Sequence, residues 1–183
     1  MAKIAILGWG SLIPKPQGLA LDGEWQPDGP VLKIEFSRIS SDGRLTLVID
    51  CDYGTEVRTY RVRSLRADLG DAVCDLMIRE STDRKNIGIC SRNIDQDHCE
   101  NHSAILPILH AWLKGTEFDA VIWTDLKSNY KKKRARDFEE GDAFSYLNGL
   151  PQVCKASAHD YIVQAPPQTQ TKLRKYLQSK GWL

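Results

Sequence analysis

The chain contains 183 residues, of which 42% are hydrophobic and 27% are charged, and its formal net charge is +1. This length and composition are typical of one globular domain with a buried core. The small net charge does not favour nucleic acid or a membrane surface as a partner. No apolar run approaches the roughly 18 residues that a membrane span needs.

The five cysteines are odd in number and scattered along the chain. A disulfide framework normally shows an even and denser set, so we expect reduced thiols. The first residues lead directly into strand-like sequence, without a secretory cleavage pattern. We therefore predict a single domain over residues 1–183 and a cytoplasmic location.

The N-terminal third of the sequence has the patterns of β-strands. Residues 3–7 form a short apolar run that predicts a buried strand. Residues 14–30 are rich in proline and glycine and lack periodicity, which predicts a long loop of the kind that is often functional. Alternation over residues 32–49, around Ser41-Asp42-Gly43, predicts a hairpin. A further strand is expected at residues 56–63.

From Ser64 onward the hydrophobic period becomes helical. We predict a helix from Ser64, as its N-cap, to about residue 80. A second helix is expected at residues 103–114, with Pro107 in its first turn or kinking it. The remaining predicted elements are a strand at 118–123 and helices near 138–147, 152–163 and 170–180. This order favours an α+β fold with a largely antiparallel, barrel-like sheet and flanking helices.

The first strand ends in an unusual turn, Gly8-Trp9-Gly10-Ser11. Glycines let a backbone approach a ligand closely, and consecutive free N–H groups can bind an anion. The structural alternative is a tight turn in which the glycines only relieve backbone strain. The spacing matches neither G-x-G-x-x-G nor the P-loop, so it gives little support for a nucleotide site.

Glu80 is the candidate acid/base. Steps of four, three and four residues place it on the same helix face as Leu69, Val73 and Leu76. Burial raises the pKa of a carboxyl group, and a raised pKa makes a carboxylate a better base near neutral pH. The alternative is that the helix has frayed at Arg79-Glu80 and that both side chains are solvated.

These two features resemble one family. "GWGSLI" (residues 8–13) is similar to the "GYGSL" turn of the gamma-glutamylcyclotransferase superfamily, and "MIRESTDRKNIG" (residues 77–88) is similar to the Arg-Glu segment of its ChaC-type members. Trp9 replaces the usual tyrosine, and residues 32–48 differ from the arginine-rich strand of the glutathione-specific members. The predicted helices from about residue 138 have no counterpart that we can place in the small enzymes.

The resemblance implies that the chain cleaves a small γ-glutamyl amide to 5-oxoproline and a free amine, without a cofactor. Glu80 would be the catalytic acid/base. The backbone at the turn would bind substrate; its residues are Gly8, Trp9, Gly10, Ser11 and Leu12. The rival hypotheses are an inactive module that binds a small molecule or a partner on the same fold, and an amidotransferase-like step on a γ-glutamylated metabolite.

Four further residues are candidates for substrate contact. Trp123 and Thr124 end a predicted strand and Asn129 follows shortly after, so they could form one wall of a pocket. Trp123 could equally be a core residue. Arg38 falls in the apolar register of Phe36 and could reach a substrate carboxylate, or it could pair with an internal carboxylate such as Glu80.

Zinc-type residues occur at Cys90, His98, Cys99 and His102. Adjacent histidine and cysteine without a Cys-x-x-Cys partner make poor ligand geometry, and Cys154 would have to join from far away. We therefore predict no metal site, and a polar loop that leads into the second helix. No cysteine–histidine nucleophile pair stands out from chance.

The dense basic run at residues 131–136 could bind nucleic acid or an acidic partner. Aromatic residues are sparse around it and four acidic residues follow at once. We therefore predict a solvated, mobile loop and no nucleic-acid partner. Because this run follows Asn129 closely, it could also act as a lid over the candidate pocket.

Overall fold

The computed structural model describes residues 2–183. Its strands and helices are β1 (Ile4–Gly8), β2 (Leu21–Gln26), β3 (Val31–Ile39), β4 (Leu45–Ile49), β5 (Thr55–Arg58), β6 (Tyr60–Ser64), α1 (Leu69–Glu80), β7 (Ile87–Ser91), α2 (Leu106–Lys114), β8 (Ala120–Thr124), α3 (Tyr130–Arg134), α4 (Glu140–Asn148), α5 (Gln152–Val163) and α6 (Lys172–Ser179). The chain forms two compact units. Unit 1 contains the chain up to Val31 and Arg58–Leu126, and unit 2 contains Leu32–Val57 and Lys127–Leu183.

Unit 1 is built on a five-stranded sheet with the order β2-β6-β1-β8-β7. The central strand β1 pairs antiparallel with β6 and parallel with β8, and β7 pairs antiparallel with β8. Every residue of β1 is buried. A central strand that is covered on both faces accounts for its continuous apolar sequence.

Helix α1 covers one face of this sheet. Its buried residues Ala72, Val73 and Leu76 join a core cluster with residues of β1, β6, β7 and β8. The helix begins after Asp68, whose side chain accepts the N–H of Asp71, so the prediction of Ser64 as N-cap is wrong. Ser64 is the last residue of β6, because strand pairing with Leu21 continues to that position.

Unit 2 contains a three-stranded sheet with the order β4-β3-β5. Strands β3 and β4 pair antiparallel, which confirms the predicted hairpin. Glu35 and Ser37, which the alternation placed on a polar face, are fully buried. The reason is that the backbone at the start of α6 lies on Glu35, so this strand is covered on both faces.

Three segments differ from the sequence-based expectations. Residues 21–26, inside the predicted 14–30 loop, form the edge strand β2. Strand β7 was not predicted at all, because it is buried on both faces and shows no alternation. The basic run, predicted as a mobile loop, begins with the short helix α3, whose charges are partly paired with the acids that follow.

The α+β class, the largely antiparallel pairing and the flanking helices are confirmed. Pro107 lies in the first turn of α2, as one of the two alternatives predicted. The three C-terminal helices are present as α4, α5 and α6. None of the described helices has the length and apolar character that crossing a membrane requires.

Candidate functional site

Glu80 is the last residue of α1, and the helix does not fray before it. Ser81 takes a left-handed conformation (φ 49°) and donates its backbone N–H to the carbonyl of Ile78, which ends the helix. The alternative in which Arg79 and Glu80 are both solvated is therefore wrong. The Glu80 side chain is only 19% exposed.

The environment of Glu80 combines burial with one cation. Burial raises the pKa of the Glu80 carboxyl group, and the neighbouring Arg79 opposes part of that rise. Nη1 of Arg79 lies 3.1 Å from Oε1 of Glu80. A raised pKa makes a carboxylate a stronger base than that of an exposed glutamate.

The turn after β1 uses its carbonyl groups for internal hydrogen bonds. The carbonyl of Gly10 accepts the N–H of Ile13 at 3.2 Å, and the carbonyl of Ser11 accepts the N–H of Lys15 at 3.1 Å. The N–H groups of Gly10, Ser11 and Leu12 are not donors in these bonds. Such N–H groups are the kind that can receive an anion or an oxyanion.

Arg79 connects this turn to Glu80. Its guanidinium donates from Nη2 to the carbonyl of Ser11 (3.3 Å), from Nε to the carbonyl of Lys15 (2.7 Å) and from Nη1 to Glu80. One planar group thus bonds both the end of α1 and the turn. Glu80 and the turn were predicted from the sequence, whereas Arg79 was not, although the Arg-Glu pair itself was the available signal.

The side chains of the turn serve packing. A Cβ at Gly8 would lie 2.9 Å from Cζ3 of Trp25 and 3.2 Å from Cγ1 of Ile13, so glycine is required for the close approach of the indole. Trp9 and Leu12 are each 6% exposed, and Leu12 belongs to the core cluster. Any ligand contact of this turn therefore comes mainly from its backbone and from Ser11.

Trp123 is a core residue of unit 1. Its indole packs so closely over Gly88 that a Cβ there would lie 2.1 Å from Cε2 of the ring. The side chain is fully buried, and Nε1 donates to Oδ1 of Asp125 at 3.4 Å. Thr124 is partly buried and pairs with Ile87 across the sheet. This geometry favours the packing interpretation of Trp123.

Arg38 and Asn129 lie in unit 2. Arg38 donates from Nη1 to the carbonyl of Lys127 at 2.8 Å, and burial lowers the pKa of its guanidinium. The Asn129 side chain accepts the N–H of Ile39 and donates to its carbonyl, at 2.7 and 2.9 Å. Both side chains thus hold the segment after Leu126 against β3.

Asn129 also lines a cavity of about 470 Å³ within unit 2. The other lining residues are Asp50, Asp52, Tyr53, Ser128, Lys131, Lys132 and Asp137. Oδ2 of the buried Asp50 has no hydrogen-bond partner among the described residues. A cavity lined by carboxylates and lysines can hold a small polar molecule.

Asp125 is a second buried carboxylate of unit 1. It is fully buried, and its oxygens accept the N–H of Asn101 at 2.8 Å and face Nδ1 of His102 at 2.6 Å. Sγ of Cys99 lies 3.6 Å from the same carboxylate. Burial and the charge of Asp125 raise the pKa of the Cys99 thiol to about 12. Cys99 is therefore a poor nucleophile at neutral pH.

The four zinc-type residues weighed from the sequence do not form one group. Among the described residues, ligand atoms within 4.8 Å of one another are found instead at Cys90, Asp97 and His110. Asp97 and His110 were missed because β7, which brings Cys90 to them, was not predicted.

Comparison with protein-family models, with curated proteins and with solved structures finds no match to this chain.

Proposed function

We propose that the chain is a cyclotransferase that cleaves a small γ-glutamyl amide, with Glu80 as acid/base. The observation that carries this proposal is the position of the Arg79 guanidinium, which bonds both the Glu80 carboxylate and the carbonyl of Ser11. A shielded carboxylate and a turn with available N–H groups therefore belong to one local structure. The resemblance of both segments to the gamma-glutamylcyclotransferase superfamily gives the same reaction.

In the proposed reaction, the substrate's own α-amine attacks its γ-carbonyl carbon. A C–N bond forms and closes a five-membered ring, and the carbonyl oxygen becomes an oxyanion near the N–H groups of Gly10 and Ser11. Glu80 accepts the proton from the attacking nitrogen and returns it to the leaving nitrogen. The amide C–N bond then breaks, which releases 5-oxoproline and the amine.

Three physical effects would lower the barrier of this reaction. The nucleophile is tethered to the electrophile, so binding in the folded conformation removes much of the entropic barrier. Each well-placed oxyanion donor is typically worth about 3–4 kcal/mol. Burial of Glu80 raises its pKa, so the group can accept and return a proton near neutral pH. The absence of a cofactor, the cytoplasmic location and the barrel-like sheet, all expected from the sequence, stay part of the proposal.

The test is release of 5-oxoproline from a panel of γ-glutamyl compounds by the purified chain. Glu80→Gln keeps the shape of the side chain but cannot accept the proton, and we expect it to lower turnover by about 10²–10⁴-fold. Glu24→Gln, at an exposed position of β2, is the matched control and should leave turnover unchanged. Absence of 5-oxoproline with every compound rejects the activity, and full turnover by Glu80→Gln rejects the assigned residue.

The second candidate function is a binding module without turnover, and the unit 2 cavity favours it. The carboxylate of Asp52 in the cavity lining suits an amine, and Lys132 suits a carboxylate of the same small molecule. Calorimetric titration with the same γ-glutamyl panel would then detect binding without 5-oxoproline. Lys132→Ala should weaken that binding, whereas Lys133→Ala, on the same short helix but outside the cavity lining, should not.

A further inference from the structure

The three residues Cys90, Asp97 and His110 converge on one face of the unit 1 sheet. Along β7, Ile87 and Ile89 join the core cluster shared with α1. Side chains alternate between the faces of a strand, so Cys90 points to the other side. Helix α2, which carries His110, packs against β7 and β8. Asp97 directly follows a 3-10 helix of one turn at Ile94–Gln96.

The donor atoms are close and differ in type. One ligand atom from each side chain lies within 4.8 Å of the other two. Nε2 of His110 is 2.7 Å from Oδ2 of Asp97. A thiol sulfur, an imidazole nitrogen and a carboxylate oxygen are the ligand types of zinc, with bonds of about 2.0–2.3 Å.

The backbone holds the acid and the cysteine in register. Oδ1 of Asp97 accepts the N–H of Ser91 at 2.8 Å. On the other side of Cys90, Ile89 and His98 exchange two backbone hydrogen bonds, of 2.6 and 2.9 Å. Both neighbours of Cys90 are therefore bonded to residues at or next to Asp97. A metal site needs this kind of preorganisation, because loosely held ligands lose affinity.

The cluster combines one buried side chain with two partly exposed ones. Cys90 is fully buried, whereas the side chains of His110 and Asp97 are 27% and 15% exposed. An ion could enter past the histidine and the acid and then meet the sulfur. Three protein ligands would leave a fourth tetrahedral position for water.

The alternative interpretation is that His110 and Asp97 form an ordinary hydrogen-bonded pair beside a buried thiol and bind no metal. Burial together with the charge of Asp97 raises the pKa of the Cys90 thiol to about 12. A divalent cation reverses that balance, because it neutralises the carboxylate and displaces the thiol proton. A sulfur, a carboxylate and an imidazole this close together therefore suit a divalent cation.

We propose that Cys90, Asp97 and His110 bind one divalent ion of the zinc class, with thiolate, carboxylate and imidazole as its protein ligands. The softness of the thiolate and the mixed donor set favour zinc over magnesium or calcium. The ion would connect β7, the segment after it and α2. This site is separate from Glu80, and the proposal does not depend on the proposed cyclotransferase activity.

The experiment uses the full-length chain and Co²⁺ as a spectroscopic substitute for Zn²⁺. We expect one ion per chain and a near-ultraviolet sulfur-to-cobalt charge-transfer band, which added Zn²⁺ removes by displacement. Cys90→Ser should lose the band, and His110→Gln and Asp97→Asn should lose binding at a concentration that saturates the unchanged chain. Cys74→Ser, at an exposed position of α1, is the matched control and should keep the full band.

A folding control separates ligand loss from misfolding. Far-ultraviolet circular dichroism without metal should be the same for Cys90→Ser and the unchanged chain, and Zn²⁺ should raise the Tm of the unchanged chain only. Cys99→Ser should retain the cobalt band, because Cys99 faces Asp125 instead. A chain that gives no thiolate band, or a band that persists in Cys90→Ser, overturns the proposal.

Discussion

Two buried glutamates, Glu80 in unit 1 and Glu35 in unit 2, share a raised pKa but differ in their partners. Glu35 is fully buried, and its two oxygens accept backbone N–H groups from Phe36, Lys172 and Leu173. Glu80 is paired with Arg79 and keeps partial exposure. Burial by itself therefore does not identify a catalytic carboxylate.

The difference lies in what each carboxylate is free to do. The hydrogen bonds of Glu35 connect β3 to the N-terminus of α6, where backbone N–H groups lack helical partners. Its acceptor capacity is used for folding. Glu80 lies at a helix C-terminus, where the dipole disfavours a negative charge, so its position is not explained by helix stability. The proposed acid/base role would account for the position of Glu80.

The largest expected effect separates the two glutamates by activity. Glu80→Gln should lower 5-oxoproline formation by about 10²–10⁴-fold, the usual contribution of a general acid/base. Glu35→Gln should keep turnover wherever it is folded, because it acts on packing in unit 2. The measurement is the initial rate of 5-oxoproline formation by each variant, on samples with matched circular dichroism. Equal losses in the two variants would contradict our distinction.

The second prediction concerns stability and pH. Burial raises the pKa of Glu35 from 4.5 to about 7, so the folded chain holds this proton more tightly than the unfolded chain. The stability that this provides is present below about pH 4.5 and is lost as pH rises through 7. A shift of this size corresponds to about 3 kcal/mol in the free energy of unfolding.

Denaturant unfolding at pH 5 and pH 8 measures this effect. The unchanged chain should lose more stability over that range than Glu35→Gln, because the amide imitates the protonated acid and does not titrate. Glu56→Gln, at an exposed position of β5, is the matched control. Identical pH dependence of the unchanged chain and Glu35→Gln would refute the role given to burial.

The smallest expected effect concerns Arg79. Its charge opposes the burial-induced rise in the pKa of Glu80. Arg79→Leu should therefore move the acidic limb of the pH–rate profile to higher pH, and Arg79→Lys should fall between that variant and the unchanged chain. Arg66→Leu removes the ion pair between Arg66 and Asp75 of α1, and it should leave the acidic limb in place. An unmoved limb in Arg79→Leu would show that Glu80 is not the group that titrates.

Elements with one solvent-exposed face, or with a strong turn or helix-end signal, were predicted correctly from the sequence. The β3–β4 hairpin was predicted from alternation around a glycine turn, and α5 was predicted with the bounds that it has. Glu80 was placed on the buried face of α1 from spacing alone. These features follow from local periodicity, which a single segment carries by itself.

It failed where neighbouring segments decide the structure. Strand β2 has a sparse apolar pattern and forms because β6 offers hydrogen bonds to its edge. Strand β7 is covered on both faces and therefore shows no period. Glu35 alternates as a solvent-facing residue would, yet α6 covers it. Asp97 and His110 meet Cys90 only because β7 and α2 pack together.

The amino-acid sequence by itself determined the α+β class, the turn at residues 8–12 and the inward position of Glu80, since each depends on residues adjacent in the chain or one helical turn apart. Only the tertiary structure decided that Arg79 joins the turn to Glu80 and that Glu35 bonds the start of α6. It also decided which of the cysteines and histidines share a site. The physical reason is that hydrogen-bond partners and the burial of charge depend on segments distant in sequence, whose packing no local pattern encodes.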